Sequence, residues 1–301
     1  MFKKLTELIF FGNYFYAACA VALAIETSIQ LGFILNPFLF YVLLAAGTVY
    51  YYNTAYITES VVPTTNKRKA WYQQHAKLAK TTQFILFWFV IGGAAYLAFT
   101  YYRGLLSLSL SNWFILFCTP LIAILYYGLS WSDIFHLNLR ENGFIKPFVI
   151  GIVWAGVVTI YPIMFKIIQT QSTFKVSFFA VWLFIKNWMF ITVLCIMFDI
   201  KDYATDHNMQ LKTFVVRAGL RKTIFLIIIP LSLAGWTAFL VFAYLRDFSF
   251  LRILFNSVPF LLLLIVAYSM HQRKSILYYL FIIDGLMLAK AVCGVLGVVF
   301  G

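Results

Sequence analysis

Negative charge is scarce in this chain. Only 10 of its 301 residues are Asp or Glu, against 23 Lys and Arg, and charged residues make up 11% of the whole. With 63% hydrophobic and 20% aromatic residues, no soluble domain could bury so much apolar surface, so the solvent must be lipid. Cysteine is scarcer still. Cys19, Cys118, Cys195 and Cys293 lie far apart in apolar segments with no CxxC pair; they read as small apolar packing residues rather than metal ligands. The four histidines (His75, His136, His207, His271) fall in polar connections with no HxxxH or HExxH spacing, and carry no metal role. The chain also lacks GxSxG, a P-loop and a GxGxxG in a strand–turn–helix setting. Hydrolase, NTPase and nucleotide-oxidoreductase chemistry therefore have no support. No low-complexity stretch or fixed-period repeat is present.

What is there is a series of apolar runs. Nine are long enough to span a bilayer, near 10–33, 37–58, 82–101, 111–129, 146–166, 176–198, 222–244, 250–270 and 276–299. The first follows an early lysine pair, as in a signal peptide, but lacks a small-residue cleavage site and is read as a retained span. No soluble domain fits between the runs. The expected fold is one all-α polytopic membrane domain over residues 1–301, nine helices bundled around a central cavity.

Sixteen of the 23 basic residues fall on one side of this topology, in the N-terminus and in the connections after spans 2, 4, 6 and 8. The positive-inside rule makes that side cytoplasmic, with the N-terminus inside and the C-terminus outside a cytoplasmic (inner) membrane. Topology thus accounts for the +13 net charge, and nucleic-acid binding is not needed.

Two connections, roughly 59–81 and 199–221, are longer than threading requires, and long ordered connections tend to be functional. The second opens with DIKDYATD, three of the ten acidic residues in eight positions. On a helix continuing from span 6, Asp199, Asp202 and Asp206 share one face within about 60° of arc, and Lys201 points away from them. Clustered carboxylates repel one another. On one face they offer hard oxygen ligands to Mg²⁺, which uses a few carboxylates and completes its shell with waters and substrate phosphates. Lys212, Arg217, Arg221 and Lys222 follow. Acid that binds metal, next to base that clamps phosphate oxygens, suggests a diphosphate bridged by Mg²⁺. Lys212 is the better clamp, whereas Arg221 and Lys222 suit anchoring of span 7. Lys146 opens span 5 before Pro147 and either reaches the site or snorkels to the interface.

The stretch FDIKDYATDHNMQLKT, at the end of the sixth of nine spans, resembles the second Asp-rich motif of the UbiA superfamily of intramembrane prenyltransferases. Lys212 and Thr213 fit its tail; IKPFVIGIVWA (145–155) and YYLFIIDGLML (278–288) fit more loosely. The resemblance covers the whole chain in topology and is specific only at 199–213. It implies a helical bundle whose two Asp-rich motifs face each other and hold Mg²⁺ on an isoprenyl diphosphate. The isoprenyl chain passes to a lipophilic acceptor, an aromatic ring or quinone precursor. On this reading Asp199, Asp202 and Asp206 are the catalytic and metal-holding residues, and Asn53, Arg68, Lys146 and Lys212 bind the diphosphate. The partners are the isoprenyl diphosphate, the acceptor and membrane lipid.

The first Asp-rich motif, NxxxDxxxD at the end of span 2, is incomplete. Asn53 matches, but the aspartate positions hold Ile57 and Val61, and Phe198 replaces the polar residue that leads the second motif. Glu59 is the nearest acid, about 120° from Asn53 on a helix; with Asn53 it would form a rebuilt first site if the helix ends before Pro63. Three readings follow: a prenyltransferase with a rebuilt first site, a catalytically weakened or silent binder of prenyl lipid, and a secondary transporter. Glu26, Lys186, Asp284 and Lys290 fall inside spans. Intramembrane ionisable groups face the bundle interior and carry function by default; here internal pairing is expected of all four, with Glu26 alternatively at the outer interface.

Overall fold

The computed structural model describes residues 2–58, 67–127, 143–171, 177–203, 208, 213–272 and 274–301. Glu59, Val61, Asp206, His207 and Lys212 lie outside the described residues. All described secondary structure is helical, and the described residues of each apolar run fall mainly on helices. We label them α1 (Phe2–Phe11), α2 (Tyr14–Gln30), α3 (Phe38–Thr58), α4 (Lys67–Gln74), α5 (Ala76–Thr100), α6 (Tyr102–Leu106), α7 (Leu110–Tyr127), α8 (Lys146–Thr170), α9 (Phe178–Asp199), α10 (Phe214–Ala218), α11 (Leu220–Leu245), α12 (Phe250–Ser269) and α13 (Ile276–Val299). Six of these are long and apolar enough to cross a membrane, seven with the bent pair α1–α2. That is fewer than nine, because tyrosines dilute the apolar character of α3 and α7 is shorter.

Boundaries moved where backbone chemistry differs from hydropathy. The first apolar run is broken by a 55° bend between α1 and α2. A Cβ at Gly12 would come within 2.4 Å of the Leu8 carbonyl, and Asn13 adopts φ 67°, a left-handed conformation that Asn tolerates better than most residues. The long connection expected at 59–81 is largely helix: α4 begins at Lys67 and α5 already at Ala76.

Prolines inside the spans free backbone carbonyls, which lipid cannot satisfy. Pro162 has no N–H for the Val158 carbonyl. The helix relaxes into a π turn over Gly156–Ile160, and the Thr27 hydroxyl donates to Val158 O at 2.8 Å. One side chain of α2 thereby ties α2 to α8. Pro230 likewise follows the π turn Thr223–Ile228 in α11.

Packing centres on α2, which touches α3, α8 and α13; α8 packs along α9, and α12 along α13. The core holds Leu23, Phe190, Met197, Ile228, Phe260 and Ile283, all buried. An open apolar groove of about 620 Å³ runs between α2, α3 and α5, past Ala17, Val21, Ala46 and Val49. Small residues let helices approach closely, the main packing device in lipid. At Gly104 in α6 an added Cβ would lie 1.8 Å from the Ile168 carbonyl of α8. Gly104→Ala is therefore expected to cost about 1–3 kcal/mol through forced separation of the two backbones, read as a lower denaturation midpoint in micelles.

Candidate functional site

Two polar groups meet at the end of the bundle that carries Asp199. The first is built by the α1–α2 bend. Asn13, placed there by its left-handed backbone, donates through Nδ2 to Asn53 Oδ1 of α3 at 2.7 Å. The Tyr72 hydroxyl of α4 lies 2.6 Å from the same oxygen. Arg68, one turn before Tyr72, is 4% exposed. Its guanidinium donates to Asn13 Oδ1 and, at 3.3 Å, to the Phe11 carbonyl. It lies over the Tyr56 ring at 4.4 Å and the Tyr16 ring at 5.9 Å. Burial works against its charge, but the phenol oxygens of Tyr56, Tyr16 and Tyr72 and the Asp284 carboxyl outweigh it, so its pKa rises above the ordinary value. A cation thus occupies the wall beside the Asn53 end of α3.

The second group is the end of α9. The α-helix stops at Asp199 and tightens into a 3₁₀ turn over Ile200–Asp202. In that turn residues three apart eclipse, so Asp199 and Asp202 stay on one face. Asp199 is 6% exposed. Its Oδ1 accepts from Lys146 Nζ at 2.9 Å, while Oδ2 is buried with no hydrogen-bond partner. Lys146 therefore reaches inward as the N-terminal residue of α8, rather than snorkelling. Asp202 is half exposed, and its Oδ2 lies 3.2 Å from Lys201 Nζ. This corrects the expectation that Lys201 points away from the cluster: the tighter turn and a flexible four-carbon stem bring the ammonium back.

Asp284 links the two groups. It follows the π turn Tyr279–Ile283 of α13 and is buried. Tyr16, Arg68 from the first group and Lys201 from the second lie within electrostatic reach of its carboxyl. Cys195 lies one turn before Asp199 on α9. An aromatic wall stands alongside. Tyr16 stacks on Tyr52 at 4.7 Å, and the Tyr52 hydroxyl accepts from Trp154 Nε1 at 2.6 Å.

Of the residues singled out in the sequence, the structure brings Asn53 together with Arg68, and Asp199 with Lys146 and Asp202. Asp206, Lys212 and Glu59 are outside the described residues. Among the described residues no three His, Cys, Asp or Glu side chains gather to hold a metal. A buried carboxylate oxygen without a partner, with a second carboxylate one 3₁₀ turn on, nevertheless fits Mg²⁺, which needs only one or two protein carboxylates beside substrate phosphate. Asn13, Tyr16 and Tyr72 were missed. The Gly12–Asn13 pair inside an apolar run is the signal that marks the bend.

The internal pairing expected of the four span residues holds in part. Lys290 binds Glu26 at 2.7 and 3.0 Å, both buried, so Glu26 is not an interface residue. Among the described residues Lys186 meets Asn256 Oδ1 at 2.9 Å and no carboxylate. Asp284 belongs to the site above. Compared with family models, curated proteins and solved structures, the chain gives no match.

Proposed function

We propose that the chain is an intramembrane prenyltransferase of the UbiA type, moving an isoprenyl chain from its diphosphate to a lipophilic acceptor. The reading includes nine spans around a central cavity, the N-terminus and the Asp199 end cytoplasmic, and the C-terminus outside. The observation that carries it is the Asp199 carboxylate, with one oxygen on Lys146 and the other buried and unpartnered. Leaving such an oxygen bare is costly, and a cation bridging it to phosphate removes the cost.

Asp199 and Asp202, with Asp206, would hold Mg²⁺, whose charge at the leaving diphosphate oxygens assists departure. Lys146 would clamp those oxygens, with Lys212, which lies outside the described residues, and Arg68 would stand in for the incomplete first motif. The carbon–oxygen bond breaks with its electron pair leaving on the diphosphate. The acceptor's electron pair forms the new bond to the allylic carbon, and the acceptor loses a proton. Tyr16, Tyr52 and Trp154 present π faces that stabilise the cation and exclude water.

A second reading, a binder without catalysis, is favoured by one observation. Asn53, the surviving residue of the first motif, already has its carbonyl oxygen satisfied by Asn13 and Tyr72. The transporter reading is weaker, since Glu26 and Lys290 are closed on each other. The test is binding of geranylgeranyl diphosphate to the purified protein with and without Mg²⁺. Tight Mg²⁺-dependent binding, lowered at least about tenfold in Asp202→Ala, is expected. Equal binding with and without metal sinks the site. Release of diphosphate on adding an aromatic acceptor separates enzyme from silent binder.

A further inference from the structure

The groove between α2, α3 and α5 has no part in the chemistry above. It runs from Tyr14 of α2 and Val49 of α3 to Ile25 and Val42, and Leu86 and Phe89 of α5 wall it. α3 packs against both α2 and α5 and so forms the floor. The starting end adjoins the first polar group, since Tyr14 follows Asn13 and Val49 lies one turn from Asn53. The groove faces away from the aromatic wall of the candidate site. Tyr16 lies about 140° round α2 from Val21, which lines the groove. It stacks on Tyr52, whose hydroxyl meets Trp154 of α8. A ligand in the groove therefore enters from the bilayer, on the α5 flank.

Length, lining and charge together say what fills it. From Tyr14 to Ile25 α2 rises about 16 Å, half of a hydrocarbon core about 30 Å thick, so the groove runs the depth of one leaflet. Apart from the Tyr14 hydroxyl its lining side chains are all hydrocarbon, and its volume of about 620 Å³ is that of a pocket for a small molecule. Of α5 only Ala79 is buried, so a chain lying on Leu86 and Phe89 adds packing that this helix lacks. Between Glu59 and Asp133 the sequence has no acidic residue, and Lys77 and Lys80 are exposed near the start of α5. Gln83 donates to Tyr50 O and Thr54 Oγ1, which sets this end of α5 beside the Asn53 end of α3. Phe84, Ile85 and Trp88 follow, exposed and apolar. The two lysines thus stand at the edge of the hydrocarbon, level with the start of the groove, and flexible stems carry their ammonium groups to headgroup depth.

We propose that the groove is a binding site for one acyl chain of an anionic phospholipid, with the headgroup phosphate at Lys77 and Lys80. The inference stands independently of the prenyl-transfer reading, because it uses none of the same residues.

The test is native mass spectrometry of the full chain, freed of lipid in detergent and titrated with dioleoyl phosphatidylglycerol or dioleoyl phosphatidylcholine. One tightly retained lipid per chain is expected, with the anionic lipid held at least about fivefold more tightly, the scale of two lysines beside added negative charge. Ala18→Phe, at an exposed position of the groove wall, fills the space and should weaken binding of both lipids at least about tenfold. The exposed pair Lys77→Gln with Lys80→Gln keeps the test open should Ala18→Phe fail to fold; it should abolish the preference for the anionic lipid. Wild-type protein that retains no lipid, or folded Ala18→Phe protein that retains it as wild type does, would overturn the groove site. Equal retention of the two lipids by wild type, or an unchanged preference in the lysine variant, would overturn the headgroup assignment. Displacement of the phospholipid by an equal concentration of geranylgeranyl diphosphate would give the groove to the isoprenyl chain and overturn the phospholipid as its occupant.

Discussion

Glu26→Gln is expected to destabilise the folded protein by about 3–5 kcal/mol, the usual cost of breaking one side of a buried ion pair. The reason is what it leaves behind. Glu26 is fully buried and Lys290 nearly so, and the ammonium bonds both carboxylate oxygens. An amide supplies one acceptor oxygen and no charge, so Lys290 is left as a buried cation without its carboxylate partner. The pocket has no slack to reorganise, since α13 approaches α2 so closely that a Cβ on Gly294 would lie 2.3 Å from Glu26 Oε1. Lys290→Met should cost a similar amount, by stranding the carboxylate. The double variant Glu26→Leu with Lys290→Met should recover most of the loss, because apolar pairs of similar volume replace buried ion pairs at little cost. Chemical denaturation of the three variants in micelles measures this. Single variants within about 0.5 kcal/mol of wild type would mean that the pair is hydrated, and the burial argument would fail.

The sequence made this pair visible only as one isolated acid and one isolated base inside apolar runs. Hydropathy marks helices because the bilayer imposes one length and one polarity on every span. The described residues of every run fall mainly on helix for that reason, though only six or seven of the helices are long and apolar enough to cross a membrane. It says nothing about which helices touch, so no spacing rule could join Glu26 to Lys290, 264 positions apart. Local periodicity had a similar reach at the acid cluster. It correctly put Asp199 and Asp202 on one face, since three residues nearly complete a turn in either helix type. It misplaced Lys201 by treating a side chain as a fixed vector, when a flexible stem can bend an ammonium back through a large angle. Lys146 was legible as a helix start from Pro147, but its carboxylate partner came from packing of α8 along α9. The Asn53 wall was half legible. The motif pointed to Asn53, while Asn13 and Tyr72, which hold it, are brought there by a backbone bend and by a short helix in a connection.

The Lys146–Asp199 pair separates architecture from chemistry most sharply. Lys146→Met should cost about 2–4 kcal/mol, somewhat below a fully buried pair, because the Lys146 side chain is 32% exposed while Asp199 is 8%. Asp199→Leu should cost less, since it strands an ammonium that can swing toward water. Combining the two removes both charges and should bring stability back near wild type. Binding should not return. In the proposed site Asp199 supplies a metal-facing oxygen and Lys146 a phosphate-facing N–H, so the double variant lacks both contacts. Its Mg²⁺-dependent affinity for geranylgeranyl diphosphate should stay at least about 100-fold below wild type, the scale of losing two charge-assisted contacts. A stable double variant that binds the diphosphate as wild type does would make the pair a structural strut, and the candidate site would have to be sought elsewhere in the fold. A stable double variant that fails to bind, beside a Glu26→Leu, Lys290→Met protein that binds normally, would tie diphosphate recognition to the Asp199 end alone.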